Sequence, residues 1–206
     1  MGGVISILDM NTTVLSYGAP ELQVMSAAFT DIAKWLKIPM FSTAGCSDSK
    51  VLDEQAAIEA ALSIATAALS GANLIHDVGY LESAMLGSYD MMVMSDEIIS
   101  MVKHIMRGIP TTPDMLAANV IERVGPSGNY LGEEHTLEHF RTQFWFPKLM
   151  DRSRYENWKA KGSMTLAQRV RSRVLGILET TQPAPLPDAV ERDLEAIIKE
   201  ADSRQR

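Results

Sequence analysis

Three short polar clusters in the first half of the chain hold most of the residues able to do chemistry. They are Asp9-Met10-Asn11-Thr12, Cys46-Ser47-Asp48-Ser49-Lys50 and His76-Asp77-Val78-Gly79-Tyr80-Leu81-Glu82. Together they supply four carboxylates, a histidine, a tyrosine, a lysine and a thiol. An acidic pocket with a tyrosine face suits a cationic small molecule, through carboxylate pairing and attraction to the ring. The same residues also fit a plainer role, with Asp48 and Asp77 as helix caps and His76 as a satisfied buried histidine. The pattern alone leaves both readings open. A fourth constellation, His135-Thr136-Leu137-Glu138-His139, fits H-x-x-E-H. In that pattern two histidines one helical turn apart bind zinc and the glutamate is general base. It needs a third protein ligand, for which Glu156 is the downstream candidate, and its alternative is a helix face with ordinary histidines. Cys46, with His76 as base, is a candidate nucleophile, but nothing else resembles a cysteine hydrolase.

The clusters need elements to position them. Each follows a short apolar run, at 4–8, 38–43 and 73–76, which reads as a buried strand. Between the runs lie two helical patterns. One covers 20–37, with Leu22, Met25, Phe29, Ile32, Ala33 and Leu36 at helical spacing and Pro20 and Glu21 in its first turn. The other is alanine-rich, covers 53–70 and ends at Gly71. Strand, helix, strand, helix, strand implies right-handed parallel crossovers. Those place all three clusters on one rim, where barrels and open α/β sheets bind ligands. After Gly87 the pattern is helical: 95–107 capped by Ser95, 113–124, 135–144, a charged helix or turn pair at 151–161, 164–180 and 187–203. A proline-rich stretch at 182–187 is a stiff linker. The last helix has a thin apolar stripe of Val190, Leu194, Ile197 and Ile198, suited to packing on one surface.

Composition narrows the classes. The 206 residues are 46% hydrophobic and 22% charged with net charge -7, which argues against a nucleic-acid binder. One cysteine excludes a disulfide framework or multi-cysteine metal site and suits a reducing cytoplasm. Neither a signal peptide nor a membrane-spanning run is expected. No phosphate-cradling glycine loop is present. The thirteen methionines read as adaptable core packing.

The rim loops are more specific than their composition. Tyr17-Gly18-Ala19-Pro20-Glu21, Ser42-Thr43-Ala44-Gly45-Cys46-Ser47-Asp48-Ser49-Lys50, Gly71-Ala72-Asn73-Leu74-Ile75-His76-Asp77-Val78-Gly79-Tyr80 and His135-Thr136-Leu137-Glu138-His139-Phe140-Arg141 resemble the trimethylamine methyltransferase family. So do the charged C-terminal helices. The resemblance implies an α/β fold, the C-terminal strands of a TIM (β/α)8 barrel over 1–110 followed by a helical extension packed on it over 111–206. The N-terminal part of the barrel is expected to be missing. The family moves a methyl group from a methylated amine to the cobalt of a separate corrinoid protein, as in methanogenesis and one-carbon metabolism. This chain would then hold neither corrinoid (cobalamin) nor metal itself. Archaeal members carry pyrrolysine, which the resemblance places near Lys50 or Val51. Its absence here points to the non-pyrrolysine branch, acting on quaternary amines such as glycine betaine.

On this reading His76, Asp77 and Lys50 are the catalytic candidates, and Tyr17, Glu21, Asp48, Tyr80 and Glu82 bind substrate. A half barrel leaves open strand edges and an uncovered apolar interior, so a homo-oligomer is expected. A zinc hydrolase built on His135, Glu138 and His139, a non-catalytic binding protein and an inactive fragment are the competing expectations.

Overall fold

The computed structural model describes residues 1–3 and 5–204. The chain divides into two units, Met1–Val174 and Leu175–Arg206.

The first helix, α1 (Pro20–Leu36), starts on a proline with Glu21 in its first turn and ends at Lys37 in the left-handed region (φ 57°). It buries Leu22, Ser26, Thr30 and Ala33. Met25, Ile32 and Leu36, expected on its apolar face, are exposed instead. The reason is that α1 packs through a narrow small-residue ridge on α2 and β1. Strand β1 (Phe41–Thr43) leads into α2 (Glu54–Ser70), which is capped by the Asp53 carboxylate on the Ala56 N–H and closed by Gly71 at φ 80°. Strand β2 (Leu74–His76) then pairs parallel to β1 in the register Phe41↔Leu74, Ser42↔Ile75, Thr43↔His76. A hairpin of β3 (Tyr80–Leu81) and β4 (Leu86–Gly87), absent from the sequence reading, precedes α3 (Tyr89–Met106).

The alanine face of α2 explains the core. Ala56, Ala60, Ile64 and Ala67 let α3 approach closely, and Met91, Met94, Ile98 and Val102 of α3 fill the space with Val170 and Val174. This layer covers one face of the parallel pair, where Ile75 packs against the cluster. The opposite face carries Phe41, Thr43, Leu74 and His76. Phe41 is 41% and Leu74 57% exposed. Beside β2 an apolar groove of about 450 Å³ is lined by Ile64, Leu74, Ile75, Val78, Ile99 and Val102.

Several expectations are corrected. Of the expected strand 4–8, Val4 lies outside the described residues, and the rest is not a buried strand. The chain meets β1 earlier, through a parallel bridge at Gly2. It then folds back on itself, with Leu8 bridging Leu15 antiparallel and the Asp9 N–H donating to the Val14 carbonyl at 2.9 Å. The Asp9 carboxylate organises this reversal by accepting from the Asn11 N–H (2.8 Å) and the Thr12 hydroxyl (3.0 Å). Helix α3 is capped by Ser88, not Ser95: the Ser88 hydroxyl accepts the Met91 N–H, while Ser95 and Glu97 are buried within the helix. The expected helix 113–124 is two, α4 (Pro113–Leu116) and α5 (Ala118–Val124), broken at Ala117 in the left-handed region (φ 48°).

The remaining helices are α6 (Glu134–Gln143), α7 (Tyr155–Ala160), α8 (Leu166–Thr180) and α9 (Asp188–Arg204). Residues 181–187 have no regular structure, and α9 buries none of its residues. Among the described residues no helix is long and apolar enough to cross a membrane. The fold is thus mixed α/β and mostly helical, with no closed barrel among the described residues.

Candidate active site

Asp48 is where the three rim loops meet. From the first loop its carboxylate accepts the Ser16 hydroxyl and the Tyr17 N–H (2.8 Å), and from the third the Ser83 hydroxyl (2.8 Å). Burial pushes the Asp48 carboxyl up, but these donors, with the Gly18 N–H, outweigh it and hold the group below its ordinary value. A cleft of about 270 Å³ opens here, lined by Asp9, Thr12, Ser16, Asp48, Lys50 and Ser83. The Lys50 ammonium stays exposed and donates to the Asp48 carbonyl at 2.7 Å.

The second loop is held from below by Glu59 of α2. One carboxylate oxygen accepts both the buried Ser47 hydroxyl (2.6 Å) and the Asp48 N–H (2.8 Å). Two glycines make this possible. A Cβ at Gly18 would stand 2.5 Å and 2.6 Å from the Glu59 carboxylate oxygens. Gly45 adopts φ 80°, and a Cβ there would stand 2.6 Å from a Val78 methyl. The second and third loops are also stitched through their backbones: Ser47 N–H to Tyr80 carbonyl (3.0 Å), Glu82 N–H to Ser49 carbonyl (2.8 Å) and Ser83 N–H to Ser47 carbonyl (3.0 Å).

At the end of β2, on the face left open by the helices, His76 Nδ1 lies 2.7 Å from an Asp77 carboxylate oxygen and its Nε2 3.2 Å from the Thr43 hydroxyl. The Thr43 hydroxyl also reaches the second Asp77 oxygen at 3.3 Å. The Phe41 ring stacks on the imidazole, centroids 3.7 Å apart at 14°. Asp77 takes a left-handed conformation (φ 70°), which turns its carboxylate back onto the histidine. The imidazole is therefore fixed in orientation by three neighbours. The Cys46 thiol, 2% exposed, donates to the Asp77 carbonyl at 3.1 Å. Burial, then the charges of Asp77 and Asp48, push this thiol up to about 12, so Cys46 is a protonated packing group and not a nucleophile. The Tyr17 phenol is likewise raised, by burial first and then by the charges of Cys46 and Asp77.

The structure thus brings Asp48, Lys50 and the Tyr17 backbone together, and pairs His76 with Asp77 close by. Tyr80 and Glu82 are set by the backbone stitching, with exposed side chains, and Glu82 is left-handed at φ 49°. Glu21 is exposed on the first turn of α1. Sequence reasoning missed Ser16, Thr43 and Glu59 as partners of the site. Glu59 carried a signal, since it is a carboxylate among the small residues of α2. Asp48 and Asp77 do not cap helices; Asp53 does. On α6, His135 and His139 face each other with ring centroids 4.3 Å apart, and the acid that joins them is Asp114 of α4, not Glu156.

A parallel strand–helix scaffold with polar groups gathered at the ends of its strands defines the class, an α/β protein. A family model described as trimethylamine methyltransferase matches residues 1–204, and the chain belongs to that family. It is 38% identical over 201 residues to a trimethylamine methyltransferase of Desulfitobacterium hafniense (strain DSM 10664 / DCB-2), covering 98% of this chain and 40% of the relative. A glycine betaine methyltransferase of Desulfitobacterium hafniense (strain Y51) is 35% identical over 198 residues, covering 96% and 41%. A trimethylamine methyltransferase of Methanosarcina barkeri (strain Fusaro / DSM 804) is 34% identical over 207 residues, covering 100% and 41%. The chain therefore spans about two fifths of the length of these curated relatives.

Proposed function

We propose that this chain supplies the C-terminal strands of a (β/α)8 barrel that takes a methyl group from a methylated, quaternary amine and delivers it to the cobalt of a separate corrinoid protein. The observation that carries the reading is the pair of carboxylates at one strand rim, Asp48 held below its ordinary value by its donors and Asp77 fixed against His76. The names of the relatives point to methylated amines, trimethylamine in two and glycine betaine in the third.

The two carboxylates favour a cation at the rim, and the exposed rings of Phe41 and Tyr80 offer faces to an alkylammonium group. A quaternary nitrogen is already charged. When its methyl leaves with the electron-deficient carbon, the C–N bonding pair stays on nitrogen and a neutral tertiary amine departs, so no general acid is required. The cobalt, brought by the partner protein as Co(I), supplies the nucleophile. The work left to this chain is holding and orienting the cation and keeping its carboxylates in place. On this reading Asp48 and Asp77 set the field, Tyr17, Tyr80, Glu21 and Glu82 wall the approach, and His76, both of whose ring nitrogens are engaged by Asp77 and Thr43, holds the Asp77 carboxylate in place. Lys50, at the lip of the cleft, suits an anionic substituent such as the carboxylate of a betaine.

The exposed Phe41 and Leu74, and the apolar groove beside β2, are where further barrel strands would pack. The chain by itself is expected to associate through them, and a monomer by light scattering would contradict that. The test of function has two arms. Calorimetry with tetramethylammonium and glycine betaine should show binding that weakens in Asp48→Asn and Asp77→Asn. Mixing with reduced corrinoid protein and methylated amines should change the corrinoid absorbance. Absence of cation binding together with no spectral change for any methylated amine would overturn the reading.

A further inference from the structure

The geometry points to a divalent transition-metal site at Asp114, His135 and His139, separate from the strand rim. Helix α6 places His135 and His139 four residues apart on one face, their rings tilted at 53°. The short helix α4, capped by the Thr112 hydroxyl on the Met115 N–H, presents Asp114 to that face. Asp114 engages both imidazoles: its carboxylate lies 3.0 Å from His139 Nε2, and its carbonyl accepts at 2.8 Å from His135 Nε2. One ligand atom from each of the three residues lies within 4.8 Å of the other two. Around a tetrahedral zinc with bonds of ~2.1 Å the ligand atoms stand roughly 3.4 Å apart. Closing that gap takes a shift of up to about 1.4 Å, shared between rotations of an exposed carboxylate and two imidazoles.

The donor set selects the metal class. Two imidazoles and one carboxylate suit Zn²⁺ or Co²⁺, whereas Mg²⁺ and Ca²⁺ favour all-oxygen cages. Three protein ligands leave a fourth position for water. The neighbouring sequence is acidic, with Glu133, Glu134 and Glu138 about the two histidines and Glu133 engaged by Arg123. An ion pair between His139 and an aspartate whose side chain is 68% exposed would contribute little by itself. A bound metal would instead strap α4 to α6 across the break at Ala117. This site uses Asp114 in place of Glu156, and Glu138 is not one of its ligands.

The experiment is a metal titration of the full chain after chelator treatment and dialysis. One equivalent of Zn²⁺ should bind by calorimetry at neutral pH, and Co²⁺ should give the intense visible bands of a low-coordinate site without thiolate charge-transfer. Zn²⁺ should raise the unfolding midpoint of the unaltered chain. Asp114→Asn and His139→Gln should each weaken binding by more than about tenfold, and His104→Gln should leave it unchanged. Binding to the unaltered chain that is absent, or that survives in the double variant His135→Gln/His139→Gln, would overturn the inference. If a variant fails to fold, diethyl pyrocarbonate modification of the unaltered chain decides. Zn²⁺ should protect His135 and His139 and not His104, and equal modification with and without metal would overturn it.

Discussion

Glu59 gives the sharpest test of how the rim is held. Its carboxylate is the acceptor for the Ser47 hydroxyl at 2.6 Å and the Asp48 N–H at 2.8 Å, and Ser47 is fully buried. Glu59→Ala removes the one oxygen that accepts both bonds and leaves the buried Ser47 hydroxyl and the half-buried Asp48 N–H without that partner. Each orphaned donor costs about 1–3 kcal/mol, so the loss should be about 2–6 kcal/mol in urea unfolding, toward the low end because the Asp48 N–H is only half-buried. Glu59→Gln keeps one acceptor oxygen and a similar shape, and should lose about half as much. A second measurement separates local from global effects. Cys46 sits in the loop that Glu59 anchors, so its reaction with a thiol reagent under native conditions should rise in both variants, more in Glu59→Ala. A Glu59→Ala protein within ~0.5 kcal/mol of the unaltered chain, with Cys46 still protected, would refute the idea that this carboxylate holds the second loop.

Four further outcomes follow from the same geometry. Gly18→Ala drives a methyl into the Glu59 carboxylate, so it should destabilise by about 1–3 kcal/mol and unmask Cys46 much as Glu59→Ala does, read by the same two assays. Glu97 is 3% exposed and one of its oxygens accepts the N–H groups of Lys148, Leu149 and Met150 at 2.9, 2.8 and 3.1 Å. Glu97→Ala should therefore cost about 3 kcal/mol or more in urea unfolding, one of the largest effects of a single substitution in the chain. The Cys46 thiol, raised from 9.0 to about 12, should alkylate at pH 8 far more slowly in the native chain than in urea. Its share of stability is complete below pH 9 and is lost as pH rises from there through about 12, and Cys46→Ser should flatten that alkaline fall. Asp48 is depressed below 3.8, so its contribution is present above that value and lost as pH falls through the folded value. Asp48→Asn should remove that part of the acid sensitivity in a pH series of thermal melts.

The polar strand ends were legible because period and punctuation are local. The alanine stripe of α2, its Asp53 cap and its Gly71 stop are chemistry that the chain carries within one or two turns. The same holds for Pro20 opening α1 and for the apolar runs that became β1 and β2. The run 5–8 misled for a physical reason. Its β-branched residues satisfy a strand equally well in a sheet or in a hairpin, and the Asp9 turn, with its own hydrogen bonds to Asn11 and Thr12, decided for the hairpin. Ser95-Asp96-Glu97 looked like a helix start because capping residues are recognised by type, while the use of Glu97 depends on a segment fifty residues away.

By itself the sequence determined the local elements, the side chains able to do chemistry and, through its rim motifs, the family. Tertiary structure decided which of those side chains share a site. Asp48 became the meeting point of three loops because Ser16, Tyr17 and Ser83 arrive from distant parts of the chain to donate to it. Cys46 became inert because burial and two carboxylates suppress its thiolate. His76 became fixed in orientation because a parallel register sets Thr43 beside it and a left-handed Asp77 turns back on it. None of these can be read from periodicity. Each depends on a distance between residues far apart in the chain, and only packing fixes that distance.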